Sequence, residues 1–290
     1  MSSGSVTESD LISALQAVGV SHKLDEINRS DARSILNNAS IGTALSLSSN
    51  SFPVFERPDS LRIIHDLVEG LLRVQTRDSS IALRHLNVVL SSLFRFLNDS
   101  NSDVRIAADE GLNKLIKFLR SSMTRLILFE LLMELKRNQN SRSVSVALSK
   151  FASLSTQIRT SKRRFYATNL LPVLISIFEQ EDDLLFENLT DSFRQIANEL
   201  FYYATEKELR SFLRTQITRL SSSKAVVRRS VAQSLVITCQ SSRVPLTLLR
   251  YLLHLILSKS NSGNSSSYHL SFVIILINFV SFYNVKLPSR

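Results

Sequence analysis

The chain has 290 residues, of which 44% are hydrophobic, with only 6 Gly and 5 Pro. That excludes a disordered chain, which lacks apolar side chains to bury, and disfavours sandwiches and barrels, which need a turn signal every ~8–12 residues. A net charge of +10 favours acidic partners, anionic membrane or nucleic acid, and a lone cysteine, Cys239, rules out an internal disulfide framework and suits a reducing compartment.

Residues 1–58 are rich in Ser, Thr and Asn, and Pro53 and Pro58 interrupt their end. They are expected to form a mostly mobile arm with one short amphipathic helix, its stripe being Leu11, Ile12, Leu15 and Val18 after a Thr7/Asp10 capping pattern. The first ten residues lack the charged and apolar regions of a secretory signal, so an intracellular protein is expected.

From Asp59 apolar residues recur at i, i+3, i+4 and i+7, the mark of an amphipathic helix. Leu61, Ile64, Leu67, Val68, Leu71 and Leu72 form the first series, and Leu83, Leu86, Leu90, Leu93, Phe94 and Leu97 the second. The run Asn98-Asp-Ser-Asn-Ser-Asp103 is made of cap formers that stop one helix and start the next. Polar breaks follow at 136–142, 156–162, 179–183, 221–224, 241–245 and 258–267. The predicted helix pairs are 80–97 with 102–119, 122–137 with 142–156, 162–179 with 184–202, 205–220 with 224–240, and 245–258 with 267–283.

A fixed period underlies this alternation. Val104, Arg105, Ala107, Gly111 and Leu112 align with Val227, Arg228, Ser230, Ser234 and Leu235, three steps of about 41 residues apart, within the ~40–47 of HEAT repeats. Intermediate copies fall at 144–154 and 184–200. Each pair presents an apolar stripe too wide to bury alone, so pairs must stack on their neighbours. The predicted fold is all-α, an α-solenoid of HEAT-type helix pairs over 59–290. Gly111 costs about 1 kcal/mol of helix propensity, which fits a close helix contact. Arg105 and Arg228 lie in first turns, where the helix dipole disfavours a cation, and Asp103 is the nearest compensating carboxylate for Arg105.

Three blocks, 101–120, 134–174 and 222–243, resemble in order the N-terminal HEAT region of the huntingtin family, over about 90–260. The resemblance implies a non-enzymatic, cytoplasmic scaffold linked to vesicle transport and autophagy, with protein partners including a helical huntingtin-associated protein. The family's opening helix, polyglutamine tract and proline-rich tract are absent here, so nothing that depends on them carries over. The chain reads as an N-terminal fragment or short isoform.

No catalytic, cofactor or metal site is expected. His22, His65, His85, His254 and His269 are scattered without metal-ligand spacing, and Cys239 falls on the apolar side of its helix, as a packed thiol. The candidate docking residues are two basic clusters at inter-helix turns: Arg159, Lys162, Arg163 and Arg164, then Lys224, Arg228 and Arg229. They are either a solvated surface or a docking patch for an acidic partner, which would line one edge of the solenoid. Nucleic acid is disfavoured as a partner, because the Phe residues sit at core spacing rather than at exposed stacking positions. The alternative, a karyopherin-type cargo or nucleic-acid carrier, would want an acidic inner surface, against the +10 charge. The run 268–285 approaches the length of a membrane span but falls where a repeat helix is due, so membrane association is expected to be at most peripheral.

Overall fold

A computed structural model describes residues 57–260, apart from 138, 139 and 181. The predicted arm, up to residue 56, and the apolar C-terminal run therefore lie outside the described residues. Among the described residues every regular element is a helix: α1 (Arg57–Arg77), α2 (Ser79–Phe96), α3 (Ser102–Arg137), α4 (Ser141–Ser155), α5 (Thr160–Glu179), α6 (Asp183–Leu200), a 3-10 turn (Phe201–Tyr203), α7 (Glu206–Arg219), α8 (Ala225–Ser241) and α9 (Pro245–Ser260). Two compact units divide the chain between Arg120 and Ser121.

In the first unit, α1 begins at Arg57, two residues earlier than expected. Pro58 sits in its first turn, where a missing N–H costs nothing. Asp78 caps α2 by accepting from the Ser80 N–H at 2.7 Å. The core stripe of α2 is Ala82, Leu86, Val89, Leu90, Leu93 and Phe94, whereas Leu83, expected inside, is exposed. The start of α3 packs on both helices through Gly111. A Cβ added there would lie 2.9 Å from Val68 Cγ2 in α1 and 3.7 Å from Leu93 Cδ2 in α2, so the close approach inferred from this glycine is real. Lys114 of α3 also pairs with Glu69 of α1, and its hydrogen bond holds the Glu69 carboxyl below its ordinary range.

One expected break is missing. Separate helices at 102–119 and 122–137 are a single helix, α3, of 36 residues. No Gly, Pro or capping pair separates Arg120 from Arg125. Buried positions continue through the junction as Leu112, Leu115, Leu119, Met123, Ile127, Leu131 and Leu135, so nothing in the chain pulls the backbone out of its helical hydrogen bonds.

In the second unit, helices α4, α6 and α8 stack side by side in one layer, and α5, α7 and α9 in another. Hydrogen bonds give the register directly. Thr190 of α6 meets Gln233 of α8 across 43 residues, and Asn198 meets Ser241 across 43. The Ser230 hydroxyl donates to the Phe186 carbonyl across 44. In the other layer Arg164 of α5 meets Glu208 of α7, also across 44. A constant offset means that stacked helices run parallel, and the HEAT period read from sequence is the physical step of the stack. Within a pair the helices run antiparallel, since the start of α5 meets the end of α6 through Arg163 and Glu199, while its end meets the start of α6 through Phe178 and Phe186.

Aromatic rings fill the space between layers. Phe178, Phe186, Phe193, Phe201 and Phe212, drawn from α5, α6, the 3-10 turn and α7, are almost wholly buried, with ring centroids 5.5–5.9 Å apart. Edge-to-face packing of this kind adds about 0.5–1.5 kcal/mol per pair beyond area burial. The equivalent leucines Leu112 and Leu235 are both completely buried, as the repeat alignment requires. This architecture fixes which residues share an edge: the starts of α5, α7 and α9 gather at one edge of the second unit, and the starts of α4, α6 and α8 at the other.

Candidate interaction edges

A long cation in a first turn is unfavourable unless something accepts its hydrogen bonds. Four of the seven candidate docking residues sit at the start of α5, and they divide by this test. Arg163 donates to the Ile158 carbonyl at 3.1 Å, pairs with Glu199 at 3.0 Å, and lies over the Tyr203 ring at 5.7 Å. Arg164 grips Glu208 with both terminal nitrogens, at 2.7 and 3.2 Å, and donates to the Tyr203 carbonyl at 2.9 Å. Burial would raise the Glu208 carboxyl, but hydrogen bonds from Arg164 and Thr205 outweigh it and leave the group below its ordinary 4.5. Glu208 at the same time closes the capping box of α7 with Thr205. Arg163 therefore ties together the two helices of one pair, and Arg164 joins that pair to the next. Arg159, the N-cap residue of α5, and Lys162 are exposed instead, with their charges facing water.

The second cluster starts α8. Arg228 donates through Nη1 to the carbonyls of Ser222 and Ser223, each at 2.7 Å. Arg105 does the same in the first unit, reaching the carbonyls of Asp99 at 2.8 Å and Ser100 at 2.7 Å. The cation that looked misplaced beside the helix dipole thus ties down the preceding turn, and the hydrogen bonds of Arg105 go to that turn's carbonyls rather than to Asp103. Lys224 is the half-buried N-cap residue of α8, and Arg229 is exposed.

The structure does not bring the two clusters together. One lies at the edge where α5 starts, the other at the opposite edge where α8 starts, so they cannot form the single line expected of them. The reason is the antiparallel pairing: a helix of the α5 layer and a helix of the α8 layer begin at opposite ends of the stack.

Sequence reasoning also missed residues that belong to the first edge. Lys207 is exposed in the first turn of α7. Arg243, just ahead of α9, lies over the Tyr202 ring at 5.7 Å. Arg125 is exposed beside Thr124, whose hydroxyl meets Gln157 in the turn before Arg159 at 3.2 Å. Phe165, Tyr202 and Leu246 expose large apolar surface there, at 39%, 52% and 59%. The available signal was the period itself, which brings the start of α7 about one step beyond the start of α5.

Cys239 is completely buried in α8, and burial pushes its thiol up to about 12. Among the described residues, no group of three or more His, Cys, Asp or Glu is placed to hold a metal ion, and no helix is long and apolar enough to cross a membrane.

Comparison with known proteins places these helices in a family. Residues 93–244 match the family model described as Huntingtin, N-terminal HEAT 1. The chain is 34% identical over 198 residues to the huntingtin of Takifugu rubripes, a match covering 68% of this chain and 6% of that protein. It is 31% identical over 106 residues to the HD protein homolog of Dictyostelium discoideum, covering 36% of this chain and 3% of that one. The chain thus spans a small fraction of the length of these relatives. The matched region runs from the end of α2 to the turn before α9 and holds every candidate docking residue, so the chain belongs to the huntingtin N-terminal HEAT family.

Proposed function

We propose that the chain is a non-enzymatic protein–protein interaction scaffold of the cytoplasm, serving vesicle transport and autophagy as the huntingtin resemblance suggests. The observation that carries this reading is the stack in the second unit. Its repeats bury their apolar residues and their thiol against one another, while equivalent positions of successive repeats return to the same edge. A surface built by repetition suits an extended partner rather than a small substrate. A helical huntingtin-associated protein is the partner class the resemblance favours, its helices able to lie along such a surface.

The experiment is reconstitution. The chain, immobilised, captures partners from cytosolic extract, each candidate is purified, and the pair is titrated by calorimetry. The reading expects at least one helical partner with a Kd of about 10 μM or tighter, the range of specific protein complexes. No reconstituted pair in that range would contradict it.

A further inference from the structure

We infer that the edge where α5, α7 and α9 begin docks an acidic partner segment carrying apolar anchors. This rests on the scaffold reading and assigns it one surface and one partner chemistry.

The charge at this edge is left over after internal pairing. Its carboxylates are committed: Glu199 to Arg163, Glu208 to Arg164, and Glu206 to Arg210. Arg125, Arg159, Lys162 and Lys207 remain exposed, and Arg243 is held only over a ring. Among the described residues, five cations from four segments of this edge therefore face water outside any ion pair. At the opposite edge, Glu179 at the end of α5 and Asp182 in the α5–α6 turn sit among the cations, so charge there is mixed. Net positive charge thus has a place on the second unit, and it attracts a chain of opposite sign.

Apolar side chains are interleaved with these cations. Phe165 follows the α5 cations by one turn, Tyr202 precedes Lys207, and Leu246 follows Arg243. Leu246 stands in the first turn of α9 and is 59% exposed. A partner with carboxylates alone would leave these three surfaces wet, whereas a segment alternating acidic and apolar residues satisfies both sets. Successive helices of a layer lie ~8–10 Å apart, so the edge from α5 to α9 spans roughly 20 Å. That length accepts about six residues of extended chain or about thirteen of helix.

The test uses the full chain and a fluorescein-labelled peptide of about fourteen residues alternating Glu or Asp with Leu or Phe, read by anisotropy. A second peptide replaces the apolar residues with Ser at the same charge. Anionic phosphatidylserine vesicles and a single-stranded oligonucleotide are the competing ligands. Binding is compared at about 50 mM and about 300 mM salt, where screening of exposed charges differs several-fold.

The expected result is that the Lys162→Glu/Lys207→Glu pair weakens peptide binding at least about tenfold, while Arg142→Glu/Arg229→Glu, equal in charge change at the opposite edge, weakens it less than about twofold. The Ser peptide should bind at least about fivefold more weakly than its apolar counterpart. Should the reversed pair melt early, Lys162→Gln/Lys207→Gln gives the same reading with a loss of at least about threefold. Equal losses for both edges would overturn the inference, and so would equal binding of the Ser peptide or no binding at low salt. Tighter binding of vesicles or oligonucleotide would overturn it in favour of that ligand. A partner still captured by the Lys162→Glu/Lys207→Glu variant would remove the edge and leave the scaffold reading standing.

Discussion

Truncating Phe193 to Ala would strike the point where the repeats of the second unit meet. The ring is completely buried in α6 and touches Phe178 of α5 at 5.8 Å, Phe201 of the 3-10 turn at 5.5 Å, and Phe212 of α7 at 5.8 Å, stacked at 30° on the last. Removing it loses the transfer energy of a buried aromatic and leaves a cavity, together about 3–5 kcal/mol for Phe→Ala. The lining side chains come from three different elements, each anchored by its own helix or turn, so collapse is restricted and the cost should lie near the upper end. Phe193→Leu keeps an apolar side chain and most of the volume, and should cost about 1–2 kcal/mol. Against a typical domain stability of about 5–15 kcal/mol the Ala change is severe. Stability in a repeat array is approximately nearest-neighbour, so weakening this interface should also broaden the transition as the flanking repeats uncouple. Urea unfolding followed by far-UV circular dichroism reads both effects. An Ala variant costing less than about 1 kcal/mol, with the slope of the transition unchanged, would refute the placement of this ring between repeats.

Two further predictions concern titratable groups. Burial raises the half-buried Glu130 of α3 from 4.5 to about 7, helped by the neighbouring Glu134 and opposed by Arg137. A carboxyl raised in the folded state favours the protonated form, so stability should be greatest below about pH 4.5 for this group and fall as pH rises through 7. Glu130→Gln should remove that slope and raise stability at pH 8 by at most about 3 kcal/mol, and parallel pH profiles for the two proteins would contradict it. Cys239, buried with its thiol pushed up to about 12, should react with Ellman's reagent only as fast as the chain unfolds. Rapid modification of the folded protein would show that the thiol is accessible.

The period was legible in the sequence because the residues that define it are local. Val104, Leu112, Val227 and Leu235 carry the apolar stripe of single helices, and the structure buries all four. Breaks rich in Ser, Asn and Asp were equally plain, since cap formers act within three residues of the helix they start. What failed was non-local or depended on direction. The merger of two predicted helices into α3 turned on continued burial through Met123 and Ile127, which a list of polar breaks does not weigh. Arg163 and Arg164 looked like surface charge because their partners, Glu199 and Glu208, lie 36 and 44 residues away. The two basic clusters seemed to share an edge because both start helices, and only the alternating direction of the helices separates them.

A consequence is that the cations of one edge fall into two groups, internally paired and water-facing, and thermal unfolding separates them most directly. Arg163→Met/Arg164→Met removes one ion pair within a repeat and one between repeats, together with the donors to Ile158 and Tyr203. Partly exposed pairs of this kind are worth about 0–1 kcal/mol each, so the double variant should lose about 1–2 kcal/mol and melt roughly 2–6 °C lower. Arg159→Met/Lys162→Met removes the same charge from residues that face water and should melt within about 1 °C of the parent. A lower midpoint for the first pair with no change for the second is the predicted result; equal shifts, or a larger one for Arg159 and Lys162, would contradict the division between internally paired and water-facing cations.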